Sequence, residues 1–390
     1  MSIGRNDKCP CNSGEKYKHC HLKIEKLRKQ MERNNLRDKS EENLKNIIVA
    51  AEKIRLRENL KNDKCFYKNC SEKPIGSHTI HKSLLKGKLS EGYKVINSPI
   101  SKNIDFLGSD DTSLYDKQSF KKATVFPGFC KKHDAIFESI ENKNLIKNTS
   151  IEDYIFLYSY RALVNEYWQL NSLTGKNNNK LSEFIKGNPR LSAYPRDMVE
   201  KSIQANFDSL DNLDSYKGMK MKFEKYIDER GALSDYSSNF KITYSKLDML
   251  PLEFAATAIV NSSNLAKAIG IVDNFNTKVP ICVGILPEYE NIPNLFFAIS
   301  TKDNSDIIDF ISTCKNGFFM QNLVALNSQN IVFAPEFYER KIKSGEFEKF
   351  KEIRNNFTIV DLFKCLGFDF LSNQLENKKS HPTKNLPAIY

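Results

Sequence analysis

The 390-residue chain is 40% hydrophobic, with 26 Phe and 16 Tyr, enough for a real core and not the composition of a disordered protein. Its best apolar run, residues 254–260, falls far short of the ~20 residues that span a bilayer, and the first residues lack the apolar stretch of a secretory signal, so a soluble, cytoplasmic protein without a membrane partner is expected. The net charge of +11 belongs to one end, since residues 1–134 hold 29 Lys and Arg against 17 Asp and Glu and the other 256 hold 30 against 31, so an anionic partner such as nucleic acid should meet residues 1–134.

Cysteine and histidine follow the charge. Six of nine cysteines and five of six histidines lie in the first 133 residues, and such clustering in a reducing compartment points to metal rather than disulfides. Cys282, Cys314 and Cys365 are scattered and read as ordinary buried residues.

The first unit, residues 1–22, contains Gly4-Arg-Asn-Asp-Lys-Cys9-Pro-Cys11-Asn-Ser-Gly-Glu-Lys-Tyr-Lys-His-Cys20-His21. Cys9 and Cys11 sit on a turn stiffened by Pro10, Ser13-Gly14 bends the chain back, and Cys20 with His21 completes a tetrahedral zinc shell, His19 being a spare neighbour. So short a segment has almost no core, and metal binding would supply its folding energy. These residues closely resemble the SEC-C motif, the zinc module of the C-terminal tail of the secretion ATPase SecA, with Asn12 where the family usually has Gly. The resemblance implies a zinc-binding fold, and ribosome or chaperone contact of the kind the SecA tail makes.

Residues 23–62 are highly charged and free of Pro and Gly. Ile24, Leu27 and Met31, then Leu44, Ile47, Ile48, Ala51 and Ile54, form an apolar stripe that predicts a long basic linker helix.

The second unit, residues 63–142, opens with Cys65-x4-Cys70 and closes, after a gap of 59 residues, with Cys130-x2-His133 at the head of a predicted helix bearing Phe137 and Ile140. A cysteine pair on a knuckle followed by a Cys-x2-His pair opening a helix is the ligand order of a treble-clef zinc site, so a second Zn²⁺ is expected on Cys65, Cys70, Cys130 and His133. The middle of the unit, residues 97–122, reads as irregular. His78 and His81 have two readings, as zinc ligands or hydrogen-bonded structural residues, and for His78 as a catalytic base.

With His78-x-Ile80 between the pairs, the unit resembles the HNH (ββα-metal) nucleases. That resemblance implies His78 as general base, Asp134 as a ligand for Mg²⁺, and Asn97 (or the equally placed Asn103) as the residue orienting the base, with Ser77 where the family often has a metal-binding His or Asp. Ile75-Gly-Ser-His-Thr-Ile80, Phe126-Pro-Gly-Phe-Cys130-x2-His133-Asp134-x2-Phe137 and a later Asn322-Leu, Asn330 and Pro335 also resemble a bacterial family with no assigned activity.

Ser150, with Asp153 three residues on, opens a largely buried helix over about 154–170, in which Tyr167 and Trp168 read as core, and further helices are predicted over 181–186 and 195–230, making 143–236 a helical region. From 237 the period changes. Strands are predicted at 240–244, 255–260, 281–286 and 295–299, and helices at 306–314, 347–357 and 359–368, so 237–390 reads as an α+β domain of open role. Glu336 reads as an exposed carboxylate, and no nucleophile elbow, Walker loop or dinucleotide-binding glycine pattern occurs.

The fold class is therefore α+β: a small zinc motif, a long helix, a treble-clef-like zinc unit with a helical region, and a C-terminal α+β domain. The function expected is zinc and nucleic-acid binding, in its sharper form an HNH-like metal-dependent nuclease of bacterial defence or nucleic-acid processing. The alternative is a non-enzymatic adaptor whose SEC-C motif docks on a ribosome, chaperone or other protein. A third reading leaves both zinc units as staples and function in 237–390.

Overall fold

The computed structural model describes residues 5–7, 16–18, 60–62, 64–98, 115–142, 144–174, 196–229, 239–248, 252–268, 279–290, 292–314 and 317–356. Cys9, Cys11, Cys20, His21, nearly all of the predicted linker helix, Asn103, Cys365 and the helices expected at 181–186 and 359–368 lie outside the described residues. The strands are β1 (Ser77–His78), β2 (Lys94–Asn97), β3 (Asp116–Ser119), β4 (Val125–Phe126), β5 (Phe240–Lys246), β6 (Phe254–Asn261), β7 (Pro280–Tyr289), β8 (Ile292–Thr301) and β9 (Asn330–Phe333). The helices are α1 (Lys82–Leu84), α2 (Lys131–Asp134), α3 (Glu138–Glu141), α4 (Ile151–Thr174), α5 (Arg196–Glu229), α6 (Ser262–Ala268), α7 (Ser305–Thr313), α8 (Gly317–Asn327), α9 (Pro335–Lys343) and α10 (Glu346–Asn356). Helix and sheet are mixed, and the chain is α+β.

Seven strands form one antiparallel sheet in the order β3-β2-β9-β6-β7-β8-β5, while β1 and β4 pair separately. Strands of the large sheet therefore come both from within 63–142 and from beyond 237. The irregular middle expected at 97–122 contains β3 and the last residue of β2. β3, Asp-Lys-Gln-Ser, has the polar composition of a sheet edge and carries no apolar alternation to betray it.

The central strands are buried along most of their length and largely apolar because both faces of the sheet are covered. Successive residues alternate between two cores: Ala255, Cys282, Phe297 and Val332 face one, Ala256, Val283, Phe296 and Phe333 the other. The first core holds α4, the end of α5 and the Cys/His unit, through Ile80, Leu85, Phe126, Phe129, Phe137 and Ile140. The second holds α7, α8, α9 and α10, through Ile308, Leu323, Phe337 and Phe350. Gly284 stands opposite Phe297, and a Cβ there would come within 2.2 Å of that ring, so the glycine makes room for the aromatic side chain.

α4 begins as its sequence predicts, the Asp153 amide donating to Ser150 Oγ at 3.1 Å. From Tyr154 to Asn165 every residue is buried, because the helix is enclosed by the sheet, α5 and the Cys/His unit. That enclosure brings the second Cys/His unit into the main core.

Candidate metal centre

The knuckle at Cys65 closes on itself before any metal is considered. The Cys65 amide donates to Glu72 O at 2.8 Å and the Cys70 amide to Tyr67 O at 3.2 Å, with Asn69 taking the left-handed turn at φ 57°. Two bonds then fasten the segment to the second ligand pair: Phe66 N to Gly128 O at 2.9 Å and Ile75 N to Phe129 O at 2.7 Å. Gly128 is required there, since a Cβ would lie 2.3 Å from the Phe126 ring. Cys130 stands in extended backbone at the N-cap of α2, which turns His133 back over the knuckle, and the helix continues through residues 135–137 into α3.

The ligand atoms of Cys65, Cys70, Cys130 and His133 all fall within 4.8 Å of one another, a group able to hold a metal ion. Cys65 Sγ is 3.5 Å and Cys130 Sγ 3.3 Å from His133 Nδ1, and Cys70 Sγ is 3.8 Å from Cys130 Sγ. Zinc bonds of ~2.3 Å to sulfur and ~2.0 Å to nitrogen set the edges of a tetrahedron at roughly 3.5–3.8 Å. These three spacings, 3.3–3.8 Å, lie close to such edges, the thiols are free, and three sulfurs with one imidazole are the donors Zn²⁺ prefers. Nδ1 of His133 would be the ligating nitrogen. Burial pushes the Cys65 thiol up to about 12 against hydrogen bonds from the Cys130 and Tyr67 backbone, so this thiol resists ionising unless a cation compensates it.

Aromatic and acidic residues surround the ligands. The Tyr67 ring stacks on the His133 ring with centroids 4.1 Å apart and planes 9° from parallel, and Tyr67 Oη donates to Asp228 Oδ1 of α5 at 2.6 Å. The sequence signal for Tyr67 is its place inside the Cys-x4-Cys loop. Asp228 has none, lying 158 residues beyond Cys70.

The two histidines between the pairs separate in role. His81 is a buried cap: Leu84 N donates to its Nδ1 at 3.0 Å, Tyr154 Oη is 3.4 Å from Nε2, and burial drives its pKa down to about 3, with the charge of Arg161 next. Of its two readings, the structural one is what the contacts give. His78 on β1 donates Nδ1–H to Ala123 O at 3.0 Å, which leaves Nε2 unprotonated and without a hydrogen-bond partner among the described residues. Burial holds its pKa below the ordinary imidazole value against that hydrogen bond, and Arg161 lowers it further.

Arg161 is 1% exposed. Nη1 donates to His78 O at 2.7 Å and to Glu141 Oε1 at 2.8 Å, and the guanidinium lies 4.1 Å over the Phe137 ring. Its sequence signal is being the one charged residue in the apolar run 154–164.

Asp134 lies on α2 with Oδ1 buried and unbonded. Asn97 belongs to the large sheet, paired with Asp116 and Val332, and its Oδ1 is also buried without a partner. Among the described residues no hydrogen bond joins His78, Asp134 and Asn97 to one another. Cys282 is buried in β7 and Cys314 half-buried after α7, and neither belongs to a group of possible metal ligands among the described residues.

At the N-terminus, Tyr17 N donates to Asp7 O at 2.7 Å and Lys18 N to Arg5 O at 2.9 Å, so the segments flanking Cys9 and Cys11 lie side by side. The SEC-C motif matches residues 5–23. Over 24 residues the chain is 71% identical to the protein translocase subunit SecA of Verminephrobacter eiseniae, 6% of this chain and 3% of that protein. It is 84% identical over 19 residues to SecA of the Wolbachia endosymbiont of Brugia malayi, 5% and 2% of the two chains, and 77% identical over 22 residues to SecA of Dechloromonas aromatica, 6% and 2%. The similarity thus spans only 2–3% of the length of these SecA proteins. No solved structure matches the chain. No helix among the described residues is long and apolar enough to cross a membrane.

Proposed function

We propose that the protein binds nucleic acid through its basic end, and that the zinc-organised unit around His78 hydrolyses phosphodiesters with Mg²⁺. The observation that carries this reading is the arrangement of the second unit: antiparallel β1 and β4 lead into a helix headed by Cys130 and His133, with Cys65 and Cys70 on the facing knuckle. That arrangement supports reading the unit as a treble-clef, HNH-like one. In this reading His78 Nε2 takes the proton from the attacking water, the Ala123 carbonyl holding the tautomer that can do so. Asp134 offers the free carboxylate oxygen that would hold Mg²⁺, whose charge would offset that developing on the phosphate. Zinc would fix the fold and take no part in the chemistry.

Charge supports the same partner. Lys73, Lys121, Lys122, Lys131 and Lys132 flank the hairpin, are exposed, and have no carboxylate partner among the described residues. Elsewhere two lysines are paired with carboxylates, Lys222 of α5 with Asp303 and Lys241 of β5 with Asp309. Free lysines beside a hairpin too short to fill a groove suit binding to the phosphate backbone rather than base reading.

Plasmid DNA and total RNA incubated with Mg²⁺ should be cleaved by the wild type and not by His78→Ala, with zinc content equal in both. Intact substrates with the wild type would remove the nuclease. Reversing Lys131 and Lys132 to Glu should weaken binding and flatten its salt dependence by about 0.9 in log–log slope for each phosphate no longer neutralised. Unchanged affinity would remove nucleic acid from this surface.

A second reading is favoured by the residue 5–23 match alone: a non-enzymatic adaptor that docks on a protein partner through the SEC-C motif. A partner retained by the wild type and released by Cys20→Ser would favour it.

A further inference from the structure

We propose that Tyr67 and Asp228 are positioning residues of the metal centre, so that the last turns of α5 govern how firmly zinc is held there. The inference rests on the metal-centre reading and is independent of nuclease activity. A histidine ligand usually has its ring fixed by a hydrogen bond from its other nitrogen. His133 makes none at Nε2 among the described residues. Its ring is held instead from one face, by the parallel Tyr67 ring. Tyr67 in turn is held by its hydroxyl on Asp228.

The neighbouring residue repeats the pattern. Lys68 N donates to Glu224 Oε1 at 3.2 Å, and Lys68 Nζ pairs with Asp228. Glu224 is itself fixed, accepting from Tyr160 Oη at 2.8 Å and paired with Lys220 at 2.6 Å. Tyr67 and Lys68, in the middle of the ligand loop, are thus tied to carboxylates one turn apart on α5. A loop of four residues between two ligands has no regular structure of its own. The Phe66–Gly128 bond fastens its start, and these ties to α5 hold its middle against His133. Loosening them raises the freedom of the loop and the rate at which a ligand can leave the ion.

The test is zinc release from the full-length protein to a chromophoric chelator, with Cys130→Ser marking the fraction that belongs to this centre. Tyr67→Phe keeps the ring on His133 and deletes only the hydroxyl, and Asp228→Ala deletes its acceptor. Each should speed release of the Cys130-dependent fraction about tenfold, within the range outer-shell changes produce. The double variant should release no faster than Asp228→Ala alone, since that change already removes the Tyr67 hydrogen bond together with the Lys68 pair. Asp228→Asn, which still accepts from Tyr67, should restore most of the retention, and the remaining zinc should leave at its wild-type rate in every variant. Singles indistinguishable from wild type, or additive effects in the double, would overturn the proposal. A wild type with no Cys130-dependent zinc would overturn the metal centre itself, and the proposal with it.

Discussion

Burial decides what each charged residue can do, and Glu166 on α4 is the clearest case. Its Oε1 is buried without a hydrogen-bond partner. Burial raises its pKa to about 8, against the opposing charge of Arg354 and a bond from the Gln329 backbone. The unfolded chain releases this proton near pH 4.3, so between that pH and about 8 only the folded state keeps it, and stability falls as pH rises through the window. Glu166→Gln should therefore unfold at higher urea than wild type near pH 8 and at the same urea near pH 4. Parallel pH profiles for the two proteins would contradict this. Residues with one chemistry are readable from sequence: Cys65, Cys70, Cys130 and His133 converge as their spacing predicts. Arg161, Glu166 and Asp228 take their roles from distant elements, and local sequence carries no trace of such partners.

Elements are legible where a periodic pattern meets a clear boundary. α4, α5 and β5 to β8 follow their predicted positions because their apolar residues repeat over many turns or strand residues. β2, β3 and β9 are four residues each and draw their identity from pairing, so a local reading passes over them. It passes over α8 and α9 as well, α8 because it is apolar nearly all round and shows no stripe. The α4–α5 interface holds a buried ion pair, Lys220 with Glu224 at 2.6 Å, the carboxylate fully buried. Lys220→Met strips the compensation from that carboxylate and should lower unfolding free energy by about 3–5 kcal/mol. Lys222→Met, two residues along in an exposed pair with Asp303, should cost no more than about 1 kcal/mol. Equal effects in chemical denaturation would show that burial does not distinguish the two.

At the scale of the whole molecule, the segment carrying the Cys/His cluster and the large sheet share one core. β2 hydrogen-bonds to β9, and Phe129, Phe137 and Tyr160 pack together between the hairpin, its helix and α4. Composition shows the charge asymmetry and the Cys/His clusters, but not this union, since pairings as distant in sequence as Ile96 with Phe333 leave no local pattern. Zinc held by Cys65, Cys70, Cys130 and His133 would thus fasten a corner of the main core rather than a detached finger. Native mass spectrometry of the purified, reduced full-length chain tests for that metal most directly. Two zinc ions are predicted in the wild type, one for each Cys3His set, and one in Cys130→Ser. The same zinc count in both proteins, or none in either, would contradict it.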